Sequence, residues 1–143
     1  MKTLDQLSTE LPLRSGSGTN VLLVDDEGAV RRFAGRVLER EGYSVWEARD
    51  GAEALDLLRQ GGVSFEVVVS DIVMPRLNGV ELMRALATSH PELPVILMSG
   101  YATAALSDLG IVAPCSILPK PFTPERLVEE VRRCSRRPRD LSA

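Results

Sequence analysis

The sequence predicts an α/β protein: a single doubly wound, five-stranded parallel sheet with helices on both faces. Five short apolar runs recur along the chain, each apolar throughout rather than at alternate positions, which is the pattern of strands buried on both sides. Between most of them lie segments whose apolar residues recur at helical spacing, and strands that alternate with helices pair in parallel through right-handed crossovers that cover both faces. The 143 residues suffice for one domain with a real core and are too few for two.

Residues 1–19 carry Leu4, Leu7 and Leu11 at helix-like spacing, then Pro12 and the pliable "SGSG", the marks of a short helix or leader followed by a linker. The first strand is "VLLV" (21–24). Val30, Phe33, Ala34, Val37 and Leu38 then form the stripe of a helix that Gly42 stops. "YSVWEA" (43–48) is the second strand. Asp50 and Glu53 make a capping-box start for a helix bearing Leu55 and Leu58, which Gly61 and Gly62 end. "FEVVVS" (65–70) is the third strand and "PRLNG" a turn, and Val80, Leu82, Met83, Leu86 and Ala87 mark the third helix. "PVILMS" (94–99) is the fourth strand. "YATAALSDLG" offers only a weak helix signal, and "CSILP" (115–119) is the fifth strand. Thr123 is a good N-cap and Pro124 suits the first helical position, so the last helix buries Leu127, Val128 and Val131.

Composition narrows the function classes. Hydrophobic residues at 44% and charged ones at 26% describe a globular protein. No apolar run approaches the roughly 18–20 residues of a membrane span, and the N-terminus lacks the apolar core of a secretion signal, so no membrane insertion and a cytoplasmic location are expected. Residues 132–143 hold five Arg and one Asp, a net +4 against −3 for the whole chain, which leaves −7 on the remainder. So acidic a body is a poor phosphate-backbone surface, and no direct nucleic-acid binding is expected. Cys115 and Cys134 sit in no CxxC and near no histidine, so the sequence points to two reduced thiols rather than a disulfide or a zinc site. The single histidine, His90, lies in the loop "SHPELP" and reads as a surface residue. Neither GxxxxGK[ST] nor GxGxxG occurs, which argues against nucleotide binding.

In an open parallel sheet, ligands bind beyond the carboxyl ends of the strands. Asp25 and Asp26 follow the first strand, Asp71 the third, Ser99 the fourth and Lys120 the fifth. Two carboxylates about 4 Å apart repel by roughly 4 kcal/mol at an effective dielectric of 20, so three at one edge call for a divalent cation. Oxygen donors without a histidine favour Mg²⁺ over zinc. A lysine and a hydroxyl opposite them suit a phosphoryl group, and a carboxylate between the cation and the lysine can accept that group as a nucleophile.

"VLLVDDE", "VVVSDIVMPRLNG", "VILMSG" and "LPKPF" resemble, in order and spacing, the motifs of the receiver domain of two-component response regulators, with a cadence similar to receivers of hybrid sensor kinases. The resemblance covers residues 20–134 and implies the flavodoxin-like strand order 2-1-3-4-5. It implies Asp71 as phosphoacceptor, direct Mg²⁺ ligation by Asp26, Asp71 and the backbone carbonyl of Val73, and a largely water-mediated role for Asp25. Ser99 would meet a phosphoryl oxygen and Lys120 would pair with the carboxylate and then the phosphate. The Lys120–Pro121 peptide would be cis. The implied partner is a histidine kinase or histidine phosphotransfer protein. Ile117 stands where many receivers carry Tyr or Phe, which leaves the phosphorylation chemistry intact and questions the usual output face. By the same resemblance, Val73 and Tyr101 would flank the approach of water to the phosphoryl group.

The expected organisation is thus a leader (1–19), a receiver (20–134) and a basic tail (135–143), standing alone or as a fragment of a larger protein. The rival readings are a phosphorylation-independent protein-binding module and a small Mg²⁺-dependent phosphohydrolase. Such hydrolases commonly place a second Asp two residues after the nucleophile, where this sequence has Val73.

Overall fold

The computed structural model describes residues 19–100 and 114–135. The weak helix signal at 101–110, Tyr101, the leader up to residue 18 and the tail beyond 135 lie outside them. In chain order the elements are β1 (Asn20–Val24), α1 (Gly28–Arg40), β2 (Ser44–Ala48), α2 (Gly51–Gln60), β3 (Val67–Asp71), α3 (Gly79–Ser89), β4 (Val95–Ser99), β5 (Ser116–Pro119) and α4 (Pro124–Cys134). All strand pairs are parallel and the sheet order is β2-β1-β3-β4-β5, the doubly wound architecture predicted.

The strands read as apolar throughout because their successive residues serve different layers. Val21, Leu23, Val45, Val67, Val69, Ile96, Met98 and Leu118 pack with α1 and α4. Leu22, Val24, Trp46, Val68, Val95 and Leu97 pack with α2 and α3 on the opposite face. This is the period-two alternation of a strand with both sides covered.

The helices differ from the predicted stripes in detail. In α1 the buried face is Ala34, Gly35, Val37 and Leu38, whereas Phe33 is 44% exposed and lies against Phe122 with ring centroids 6.2 Å apart. In α2 the buried residues are Gly51, Ala54 and Leu57, with Leu55 and Leu58 only partly buried at the edge of the core. Asp50 caps α2 by accepting from the Glu53 amide at 2.9 Å. The Glu53 carboxylate accepts from the Arg49 amide, one residue upstream of the capping-box position. A complete capping box opens α3 instead: Asn78 accepts from the Glu81 amide, and Glu81 from the Asn78 amide. Thr123 caps α4 by accepting from the Arg126 amide.

The cysteines depart furthest from the sequence reading. Cys115 and Cys134 are joined as a disulfide, with Cα atoms 6.1 Å apart. The chain just before β5 and the last residue of α4 lie side by side because α4 packs back across β5, a proximity that a 19-residue separation does not reveal in the linear sequence. Beside it the buried Glu130 accepts from Ser116 Oγ and from Arg133 at 2.7 Å, and these hydrogen bonds hold its carboxyl below the usual range.

Candidate functional site

Strand register brings the acidic residues together. Val24 of β1 is opposite Ser70 of β3, so the residues that follow, Asp25 and Asp71, leave the sheet side by side. The order reverses here, β1 lying between β2 and β3, and the crevice outside that switch point is the expected binding place of the fold. Ser99 of β4 is opposite Pro119 of β5, and Lys120 follows, its amide donating to the Ser99 carbonyl at 2.8 Å. One edge thus receives Asp25, Asp26, Asp71, Ser99 and Lys120, while Tyr101 lies outside the described residues.

Asp25 is fully buried. One of its carboxylate oxygens accepts from the Glu27 amide at 2.9 Å and the other from Lys120 Nζ at 3.3 Å. Its carbonyl accepts from Arg31 at 2.7 Å, and Arg31 is in turn held by Glu47 of β2. Asp26, the next residue, is exposed. Asp71 Oδ1 accepts from the Ile72 amide at 3.0 Å and pairs with Lys120 Nζ at 3.2 Å, while Oδ2 has no hydrogen-bond donor among the described residues. Ser99 is buried at the end of β4. The Lys120–Pro121 peptide is cis.

The electrostatics follow from the burial. Desolvation, with the Asp25 charge behind it, raises the Asp71 pKa above the ordinary carboxylate value, and Lys120 and the Ile72 amide offset only part of the rise. For Lys120 burial works against the ammonium, but attraction to Asp25 and Asp71 outweighs it and the pKa is raised.

Asp25, Asp26 and Asp71 each offer an oxygen within 4.8 Å of the others. Octahedral Mg²⁺ with ligands at about 2.1 Å sets donors roughly 3 to 4 Å apart, so small side-chain adjustments close the set. The donors are hard oxygens throughout, as Mg²⁺ requires.

The loop after β3, residues 72–78, carries Val73, which is 64% exposed. It is pinned at its base, where Ile72 donates to the Met98 carbonyl and Gly79 to the Ile72 carbonyl. A Cβ at Gly79 would lie 2.3 Å from the Asp71 carbonyl oxygen, so only glycine lets α3 begin this close to the site. Sequence reasoning missed the supports of the edge: Arg31 beneath Asp25, and Arg76, whose guanidinium meets Asp50 at 2.8 Å. The only signal for either was a charged residue in or beside an otherwise apolar or turn motif. His90 ends α3 at the opposite, amino edge of the sheet, with Nδ1 2.8 Å from Ser89 Oγ.

Known proteins share both sequence and fold with this chain. The family described as the response regulator receiver domain matches residues 21–132. The sensor kinase CckA of Brucella abortus is 44% identical over 119 residues, covering 82% of this chain and 12% of CckA. The response regulator MprA of a Mycobacterium species (strain KMS) is 39% identical over 118 residues, 82% of this chain and 50% of MprA. The chain therefore spans half or less of the length of these relatives. Among solved structures, the chemotaxis protein CheY4 of Vibrio cholerae superposes with a TM-score of 0.74 at 30% identity, covering 81% of this chain and 98% of that one. The response regulator TrrA of Thermotoga maritima, in complex with Mg(2+)-BeF, gives 0.73 at 28% identity over the same shares. A sheet of the same order, an acidic crevice at its switch point and a sequence match over residues 21–132 have one common explanation: this chain belongs to the response regulator receiver domain family.

Proposed function

We propose that this chain is an Mg²⁺-dependent phosphoacceptor in two-component or phosphorelay signalling, phosphorylated on Asp71 by a histidine kinase or a histidine phosphotransfer protein. The observation that carries the reading is the meeting of Asp25, Asp26 and Asp71 with Lys120 at the switch point of the sheet. With Oδ1 of Asp71 engaged by Lys120 and Ile72, Oδ2 is the oxygen free to attack phosphorus. The P–N bond of the donor phosphohistidine breaks, its electron pair returns to the imidazole, and Asp71 becomes an acyl phosphate. Asp26, Asp71 and the Val73 carbonyl would hold Mg²⁺, with Asp25 acting through water, and the bound cation would supply the positive charge that offsets the converging anions. Lys120 balances the carboxylate before transfer and the phosphate after it, and the Ser99 hydroxyl orients a phosphoryl oxygen.

The donor protein would meet two exposed apolar side chains. Phe33 and Val73 are the two large hydrophobic side chains exposed among the described residues, and Phe33 packs on Phe122, two residues from Lys120. The functional unit is taken as residues 20–134, between a leader (1–19) and a basic tail (135–143). A kinase donor places it in the cytoplasm, where the Cys115–Cys134 disulfide meets a reducing thiol pool. Val73, two residues after Asp71, is no general base, which argues against efficient hydrolytic turnover.

Intact-mass analysis after incubation with acetyl phosphate tests the proposal. One phosphoryl group should add in Mg²⁺ and none in a chelator or in Asp71→Asn. Labelling that ignores the chelator or persists in Asp71→Asn overturns it.

A further inference from the structure

Next to the crevice, the 72–78 loop is stitched to the start of α2 by contacts that neither the fold nor the acidic cluster requires. Asp50, only 6% exposed, divides its carboxylate: Oδ1 caps α2 through the Glu53 amide, and Oδ2 receives Arg76 Nε at 2.9 Å and Nη2 at 2.8 Å. One residue further along each segment, the Gly51 amide donates to the Leu77 carbonyl at 3.0 Å. The approach is so close that a Cβ at Gly51 would lie 2.6 Å from that oxygen.

Arg76 has φ of 66° and is the one described residue other than glycine with a positive φ. Glycine occupies that conformation without the Cβ penalty, so an arginine here is explained by what its side chain reaches. What it reaches is Asp50, whose carboxyl is pushed upward by burial and pulled further down by the Glu53 amide and the Arg76 charge. The loop so tethered is the segment that carries Val73.

We propose that the Arg76–Asp50 ion pair is a positioning latch: it fixes the 72–78 loop against α2 and so sets the Val73 carbonyl where the cation needs its third protein donor. This rests on the reading of the acidic edge as an Mg²⁺ site. Arg76 and Asp50 touch neither cation nor phosphoryl group, and act only through the loop. Outer groups that orient metal ligands commonly carry 10- to 100-fold in metal affinity. The Arg76 side chain is 63% exposed, so its pair adds little to global stability. A loss of affinity without a loss of stability is therefore the signature of the latch.

The test measures Mg²⁺ affinity by calorimetric titration, and melting temperature without Mg²⁺, for wild type, Arg76→Gly, Asp50→Asn and the double variant. Glycine accepts the left-handed backbone at 76, and asparagine keeps the oxygen that caps α2, so both variants should fold. Each single variant should bind Mg²⁺ about tenfold more weakly, and the double variant no more weakly than the singles, because they break one contact. Arg76→Gly should melt within a few degrees of wild type. Saturating Mg²⁺ should restore its labelling by acetyl phosphate. Wild type that binds Mg²⁺ beside variants that bind it equally well would overturn the latch and leave the site standing. Wild type that binds no Mg²⁺ would overturn the site and the latch with it.

Discussion

Lys120→Met isolates the electrostatics of the acidic edge, because it keeps most of the buried stem and removes the charge. In the wild type Nζ lies 3.3 Å from Asp25 and 3.2 Å from Asp71, with 20% of the lysine side chain, none of Asp25 and 13% of Asp71 exposed. At an effective dielectric of ~20 each contact is worth about 5 kcal/mol. Part of that sum is spent on desolvating the ammonium, and removing one partner of a buried pair typically costs 3–5 kcal/mol. A loss of about 3 kcal/mol at neutral pH is expected. Its pH dependence has a definite sign. The raised Lys120 pKa means that the lysine's contribution is present below its ordinary value and disappears only as pH rises through the folded value. The Asp71 pKa is also raised, so its charged form costs stability once pH passes the folded value, and without Lys120 that cost grows. The deficit of the variant should therefore narrow as acid protonates Asp71. Urea denaturation of both proteins without divalent ions, from about pH 4 to 8, reads this directly. A deficit under about 1 kcal/mol at neutral pH, or one that does not narrow on acidification, would refute the reasoning.

Breaking the Cys115–Cys134 bridge, by a thiol reductant or by serine at both positions, should cost about 3 kcal/mol from the 19-residue separation it spans; equal urea midpoints with and without reductant would contradict this. Gly79→Ala should destabilise by about 3 kcal/mol, because the atoms its Cβ would strike are backbone of Asp71 and Ile72 and cannot swing aside. A near-neutral change in denaturant midpoint would show that α3 can slide. Glu130→Gln should cost about 1.5 kcal/mol at neutral pH, at the low end for a charge-assisted bond because Arg126 and Arg133 are half exposed. The Glu130 pKa is lowered, so its contribution is present above the ordinary glutamate value and lost as pH falls through the folded one. The gap between variant and wild type should accordingly close in acid, and a pH-independent gap would contradict the assignment.

The fold was legible because its strands are short, apolar on both faces and separated by helical stripes, all of which are local patterns. The carboxyl edge was legible too, since every strand in this topology runs the same way and the residue after each one comes to the same side. What stayed hidden depends on distance in space. Phe33 keeps helical register with the core residues of α1, yet the helix is rotated so that Ala34 and Leu38 face the sheet and the ring lies on Phe122 instead. The two cysteines read as thiols because only the return of α4 across β5 makes them neighbours. Arg76 looked like a turn residue in "PRLNG", and nothing local indicates that its partner is Asp50, 26 residues earlier. Charge pairs of this kind follow from tertiary packing rather than from periodicity.

Asp71 is the one carboxylate proposed to accept the phosphoryl group. Acyl phosphates are reduced by borohydride to the alcohol, so an aspartyl phosphate is recorded as homoserine in the peptide that contains it. Phosphorylating the protein with acetyl phosphate in Mg²⁺, reducing, digesting and sequencing by tandem mass spectrometry should give homoserine at position 71 and aspartate at 25 and 26. Homoserine at 25 or 26, or phosphate retained on Ser99 with position 71 unchanged, would contradict the account.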